Sequence, residues 1–85
     1  MIQFTYTIKD PSGIHARPAG VLVKLASGFK SKMTVLKGDK SGDLKRIFSI
    51  MALGAKQGET LTIQIEGEDE KQAQEAILKC LQDNF

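Results

Sequence analysis

A chain of 85 residues with one cysteine and 41% apolar residues is the size of one small domain, able to bury roughly 60 to 65% of the surface its unfolded form exposes and to keep a core without metals or disulfides. Twelve basic against ten acidic residues leave a net charge of +2, too slight to mark a binder of nucleic acid or of an anionic membrane. The start, Met1-Ile2-Gln3-Phe4-Thr5, lacks the basic flank and apolar centre of a secretory signal, no run approaches the roughly 20 apolar residues of a membrane span, and Cys80 has no partner for an internal disulfide, which together predict a cytoplasmic protein.

Ile2, Phe4, Tyr6 and Ile8 alternate with Gln3, Thr5, Thr7 and Lys9, the period-two pattern of a strand with one buried and one wet face. Both aromatics fall on the apolar face, so they read as core residues. Asp10-Pro11-Ser12-Gly13 supplies turn chemistry. Ala19, Leu22, Val23 and Ala26 then recur at helical spacing, with Lys24 off the stripe and Gly28 as the stop. Pro18 suits a first helical turn, where its missing N–H costs nothing, but the residue before a proline is biased away from the helical region. Local rules therefore start this helix at Pro18.

Lys32 to Lys37 reads as a second strand, with Gly38-Asp39 as a hairpin turn into a short strand from Lys40 to Asp43. Apolar residues at Leu44, Ile47, Phe48, Ile50 and Met51, stopped by Gly54, predict a short helix from Leu44 to Leu53. Glu59 to Glu66 alternates cleanly, with Leu61, Ile63 and Ile65 facing in. Glu68-Asp69-Glu70 opens a last helix, with Gln72 three after Asp69 as a capping-box variant and Ala73, Ile77, Cys80 and Leu81 on one face. Half-buried strands in this order predict an antiparallel sheet with helices over its apolar face, an α+β two-layer sandwich.

The chemistry gathers in Gly13-Ile14-His15-Ala16-Arg17-Pro18-Ala19-Gly20, which holds the only histidine. A helix start offers unpaired N–H groups and about half a positive charge, both favourable to an anion such as phosphate. Arg17 adds a permanent cation, and small Ala16, Ala19 and Gly20 leave the imidazole uncovered. A neutral imidazole has a free lone pair able to attack phosphorus, and histidine is among the side chains that form covalent intermediates. No metal or other cofactor is called for. Set against this, a lone loop histidine is commonly structural, and spacing alone does not decide between the two.

Gly13-Ile14-His15-Ala16-Arg17-Pro18-Ala19 resembles the active-site signature of HPr, the histidine-containing phosphocarrier family of the bacterial phosphoenolpyruvate-dependent sugar phosphotransferase system. The likeness extends along the chain, through Ile47-Phe48-Ser49-Ile50-Met51-Ala52-Leu53-Gly54 and Glu66-Gly67-Glu68-Asp69-Glu70. It implies a single domain over residues 1–85 in the order βαββαβα, four antiparallel strands under three helices. It also implies a first helix starting near Ala16, two residues ahead of the local expectation, with the Ala16 and Arg17 amides meeting the phosphoryl oxygens.

By the same resemblance the chain is a monomeric carrier, not an enzyme. His15 would take a phosphoryl group on Nδ1 from phosphorylated enzyme I and pass it to sugar-specific A domains of the permeases (EIIA), with Arg17 steadying the phosphoryl oxygens. Ala16, Gly20, Lys24, Ile47, Phe48 and Met51 would dock those partners, although the pattern alone also allows the apolar members to be core. Lys24, Lys45 and Arg46 are read either as cations that steer acidic partners or as a plain solvated face. Arg46 stands where many Gram-positive members carry a kinase-regulated serine, so regulation by phosphorylation at that position is not expected. A nitrogen-branch paralogue would keep His15, whereas a regulatory paralogue would lack it. An RNA-binding module would put aromatics on an open sheet face, unlike Phe4 and Tyr6.

Overall fold

The computed structural model describes residues 1–85. It contains β1 (Ile2–Thr7), α1 (Ala16–Ser27), β2 (Lys32–Lys37), β3 (Lys40–Asp43), α2 (Ile47–Ala52), β4 (Thr60–Glu66) and α3 (Glu70–Asn84). The sheet order is β1-β4-β2-β3 and every pairing is antiparallel, the α+β sandwich that the alternating strands predict. β1 and β3 are joined to the sheet only at its edges, so β4, the most regularly alternating segment, lies inside.

Register carries the pattern across the sheet. Phe4 pairs with Ile63, Tyr6 with Leu61, Met33 with Ile65 and Val35 with Ile63. A one-residue slip would turn these side chains to the wet face, so burial itself holds the register. The opposite face is polar: Thr7 and Thr60 share a hydroxyl hydrogen bond at 2.9 Å, and the Gln64 amide donates to Gln3 at 2.9 Å. Phe4 is half-buried against the core and Tyr6 is buried, so neither is available to stack on a base. Burial raises the Tyr6 phenol above its ordinary pKa, and its hydroxyl has no hydrogen-bond partner.

One contiguous core draws buried apolar side chains from every element except β3. The helices contribute through single faces: Ala19, Leu22 and Ala26 from α1, Ile50 from α2, and Ala73, Ile77, Cys80 and Leu81 from α3. Each fully buried Leu or Ile contributes about 1.5–3 kcal/mol relative to an exposed one. Val23 lies at the core edge, half-buried. Burial pushes the Cys80 thiol pKa up, the property of a small core residue and not of a reactive thiolate.

Three local expectations are corrected. α1 starts at Ala16, not Pro18. Pro18 thus occupies the third helical position, where its absent N–H is still one of the first-turn donors with no partner in the helix. α2 starts at Ile47, because Leu44 to Arg46 are taken up by a turn. The Leu44 N–H extends the sheet by donating to the Met33 carbonyl, and the Lys45 and Arg46 amides donate to the Asp43 carboxylate and carbonyl. β4 starts at Thr60, since the Glu59 carboxylate turns back to accept the Lys56 amide at 2.7 Å.

The capping box is also absent. Asp69 is the N-cap residue of α3, but its carboxylate makes no bond to its own helix. It accepts the Lys30 amide at 2.8 Å, the Ser31 amide at 3.0 Å and the Ser31 hydroxyl. Ser31 is 1% exposed, and a buried hydroxyl and amide without partners would each cost about 1–3 kcal/mol. Asp69 therefore clips the α1–β2 connection to the start of α3.

Candidate functional site

The loop between β1 and α1 is fixed by backbone contacts. Gly13 adopts φ +63°, and the next amide, Ile14, donates to the Ala55 carbonyl at 3.1 Å. That turn delivers His15 to the N-cap position of α1 in extended conformation, φ −131° and ψ 166°. Its carbonyl accepts the Ala19 amide at 3.0 Å. Its side chain is 43% exposed, so the ring is neither packed in the core nor fully solvated.

Ala16 and Arg17 are the first two residues of the helix, and their amides have no hydrogen-bond acceptor in the protein. The Arg17 guanidinium is exposed and engaged in no ion pair. Two backbone donors, the positive end of α1 and a free guanidinium thus meet beside one imidazole, a set suited to a dianionic phosphoryl group.

The groove they line also includes Asp10, Pro18, Val21, Asp83 and Asn84. Two of these residues are carboxylates. Asp10 Oδ2 lies 3.5 Å from His15 Nε2, while Asp83 pairs with Lys79 at 3.2 Å. On another side the Phe85 ring meets the imidazole edge-on, with centroids 6.5 Å apart and planes at 70°. The Phe85 carbonyl accepts the Lys9 and Asp10 amides at 2.6 and 2.7 Å, which ties the end of the chain to the β1 exit.

The residues expected to bind partners form a surface next to this groove. Ala16, Gly20 and Lys24 follow at four-residue intervals along α1, and the Ile47 side chain lies over Gly20, its Cδ1 3.9 Å from where a Cβ would stand. Ile47 is half-buried against the core edge, Phe48 is 84% exposed and Met51 36% exposed, while Ile50 is the one fully buried residue of α2. Lys24 and Arg46 are exposed. Lys45 is not a free cation: its ammonium donates to the Phe29 carbonyl at 2.7 Å.

Asp10, Phe85 and the Asp83-Asn84 pair border the groove without being marked as site residues by the sequence. Asp10 has only a turn signal, the contacts of Phe85 with Lys9, Asp10 and His15 span most of the chain, and Asp83 and Asn84 reach the groove only through the folding back of α3, so no local pattern announces them.

The fold and this groove define a class: a small α+β protein that presents one histidine at a helix start, beside free amides and an arginine. Residues 2–83 match the family model described as the PTS HPr component phosphorylation site. The phosphocarrier protein HPr of Mycoplasma capricolum is 45% identical over 83 residues, covering 98% of this chain and 93% of its own. That of Lysinibacillus sphaericus is 47% identical over 76 residues, covering 89% and 86%. A solved histidine-containing phosphocarrier protein from Mycoplasma superposes with a TM-score of 0.93 at 44% identity, covering 96% of this chain and 93% of that one. The chain belongs to the HPr family of phosphocarrier proteins of the phosphotransferase system.

Proposed function

We propose that His15 is the phosphoryl-carrying residue, loaded by phosphorylated enzyme I with a group that originates in phosphoenolpyruvate and unloaded by sugar-specific EIIA domains. The single observation that carries this reading is the half-exposed imidazole standing beside the unpaired Ala16 and Arg17 amides and the unpaired Arg17 guanidinium. Those groups stabilise the charge that moves with the phosphoryl group, and Arg17 can do so through two parallel N–H bonds. Attack comes from Nδ1, a reading supported by the 3.5 Å approach of Asp10 Oδ2 to the other ring nitrogen, Nε2.

A carrier must also let go. One charge-assisted hydrogen bond is worth roughly 1.5–3 kcal/mol, and each one made only in the resting phosphoprotein slows onward transfer. An open groove with one free cation and two nearby carboxylates fits that requirement better than an enclosed cationic pocket. The docking face is Ala16, Gly20, Lys24, Ile47, Phe48 and Met51, where an apolar centre is flanked by a lysine. Phe48, so exposed on a helix whose core contact is made by Ile50, is the anchor of that face. The whole chain acts as one domain, as a monomer in the cytoplasm.

Incubation with phosphoenolpyruvate and enzyme I, followed by intact-mass measurement before and after acid, tests the assignment. One acid-labile phosphoryl group per chain, absent from His15→Ala, is the expected result. A phosphoryl group that survives acid, or persists in His15→Ala, would overturn it.

A further inference from the structure

Asp10 is held so that one of its oxygens is committed to the backbone and the other is left for the imidazole. Oδ1 accepts the Ser12 amide at 2.8 Å, closing a turn over two residues. The Asp10 amide is itself bonded to the Phe85 carbonyl, so both ends of the residue are anchored. Oδ2 then stands 3.5 Å from His15 Nε2. The contact is long, as hydrogen bonds at resting sites commonly are before charge develops on the ring. The Phe85 ring borders the imidazole as well, and Arg17 makes no ion pair with Asp10 that would divert its carboxylate.

We infer that Asp10 is a positioning residue for phosphoryl transfer, keeping the His15 proton on Nε2 and so leaving the Nδ1 lone pair free for phosphorus. This deepens, and rests on, the phosphoryl-carrier reading of His15. An ionised carboxylate can only accept, so a neutral imidazole facing it presents an N–H at Nε2 and keeps its lone pair on Nδ1. On loading, the Nδ1 lone pair forms the P–N bond while the bond from phosphorus to the donor breaks and its electron pair leaves with the donor.

The proton stays on Nε2 throughout. The loaded ring therefore carries a positive charge opposite the Asp10 carboxylate. On unloading, a lone pair of the acceptor attacks phosphorus, the P–N electron pair returns to Nδ1, and the ring is neutral again. No proton enters or leaves in either direction. By favouring the protonated Nε2, Asp10 keeps Nδ1 a nucleophile when the site is empty and a leaving group when it is full.

The test compares wild type, Asp10→Ala and Asp10→Asn in two measurements. Long-range ¹H–¹⁵N spectra of the imidazole, taken where the ring is neutral, report which nitrogen holds the proton. The loading rate from phosphoramidate, a small donor that needs no docking surface, reports the chemistry. Asp10→Asn keeps an oxygen for the Ser12 amide but turns an NH2 toward Nε2, so the proton should move to Nδ1. Wild type should be predominantly Nε2–H, Asp10→Asn should reverse the preference, and both variants should load slower by on the order of tenfold.

The same tautomer in wild type and Asp10→Asn, or equal loading rates, would overturn the inference. Where Asp10→Ala loosens the turn, as an altered amide spectrum would reveal, Asp10→Asn still carries the test. A wild type that takes no phosphoryl group would sink the carrier reading itself. That failure is distinguishable, because the tautomer measurement needs no phosphoryl group.

Discussion

Gly13→Ala should destabilise the protein more than any glycine substitution in an open turn, because two separate costs fall on it. At φ +63° an L side chain costs about 1–2 kcal/mol. Its Cβ would also lie 2.5 Å from the Ala55 carbonyl oxygen and 2.9 Å from Lys56 Cα. Both are backbone atoms that no rotamer change can move aside. Relief requires the loop to back away from Ala55, which endangers the Ile14 amide bond to that carbonyl, worth about 1 kcal/mol.

The expected total is about 2–4 kcal/mol, or roughly 10–25 °C in Tm for a domain of this size. Gly54→Ala is the control: φ there is +61° with nothing within 4 Å of the added Cβ, so only the backbone cost of about 1–2 kcal/mol applies. Urea unfolding followed by far-UV circular dichroism measures both. A Gly13→Ala loss no larger than that of Gly54→Ala would refute the clash argument. It would also mean that the loop delivering His15 is less tightly set against residues 55 and 56 than the contacts indicate.

The two faces of α2 separate in the same way. Ile50→Ala, at 1% exposure, should cost about 2–5 kcal/mol in urea unfolding, whereas Phe48→Ala, at 84%, should change stability by less than about 0.5 kcal/mol yet weaken binding to enzyme I in titration calorimetry. Arg17→Lys should leave Tm unchanged and slow phosphoryl transfer by roughly tenfold, since an ammonium replaces the planar fork; an undiminished single-turnover rate would contradict the role given to that fork. Acid stability should depend on Asp69, whose pKa is held below the ordinary carboxylate value by hydrogen bonds from the Ser31 hydroxyl and the Lys30 amide. A depressed folded-state pKa contributes stability that is present above the unfolded value of about 3.9 and is lost as pH falls through the folded one. Asp69→Asn should therefore flatten the fall in Tm below about pH 4, although Glu59, shifted the same way by the Lys56 amide and Lys37, keeps part of the slope.

Much of this molecule is legible in the chain because its strands bury one face each. Alternation in Ile2 to Ile8 and in Leu61 to Ile65 fixes both the strands and their inward faces, and the buried face of α3 is the one its spacing predicts. What escapes local reading is decided by contacts between distant segments. Leu44 looks helical by spacing but is claimed by the Met33 carbonyl. Asp69 looks like a cap but is claimed by Lys30 and Ser31, about 38 positions away. At the site, His15 and Arg17 stand out by residue type and motif, whereas Asp10 is visible only once the loop is folded back and Oδ2 is seen to face Nε2. The first turn of α1 shows the same competition: the rule for residues before proline favours Pro18 as the start, and the fold starts it at Ala16.

The most direct measurement follows the phosphoryl group through a complete relay. Phosphoprotein freed of its donor is mixed with an unphosphorylated EIIA domain and watched by ³¹P NMR. The signal of His15 phosphorylated at Nδ1 should disappear as a new phosphohistidine signal on the acceptor grows in equal amount. Conversion to inorganic phosphate, or a signal that stays where it began, would contradict a carrier built on this histidine.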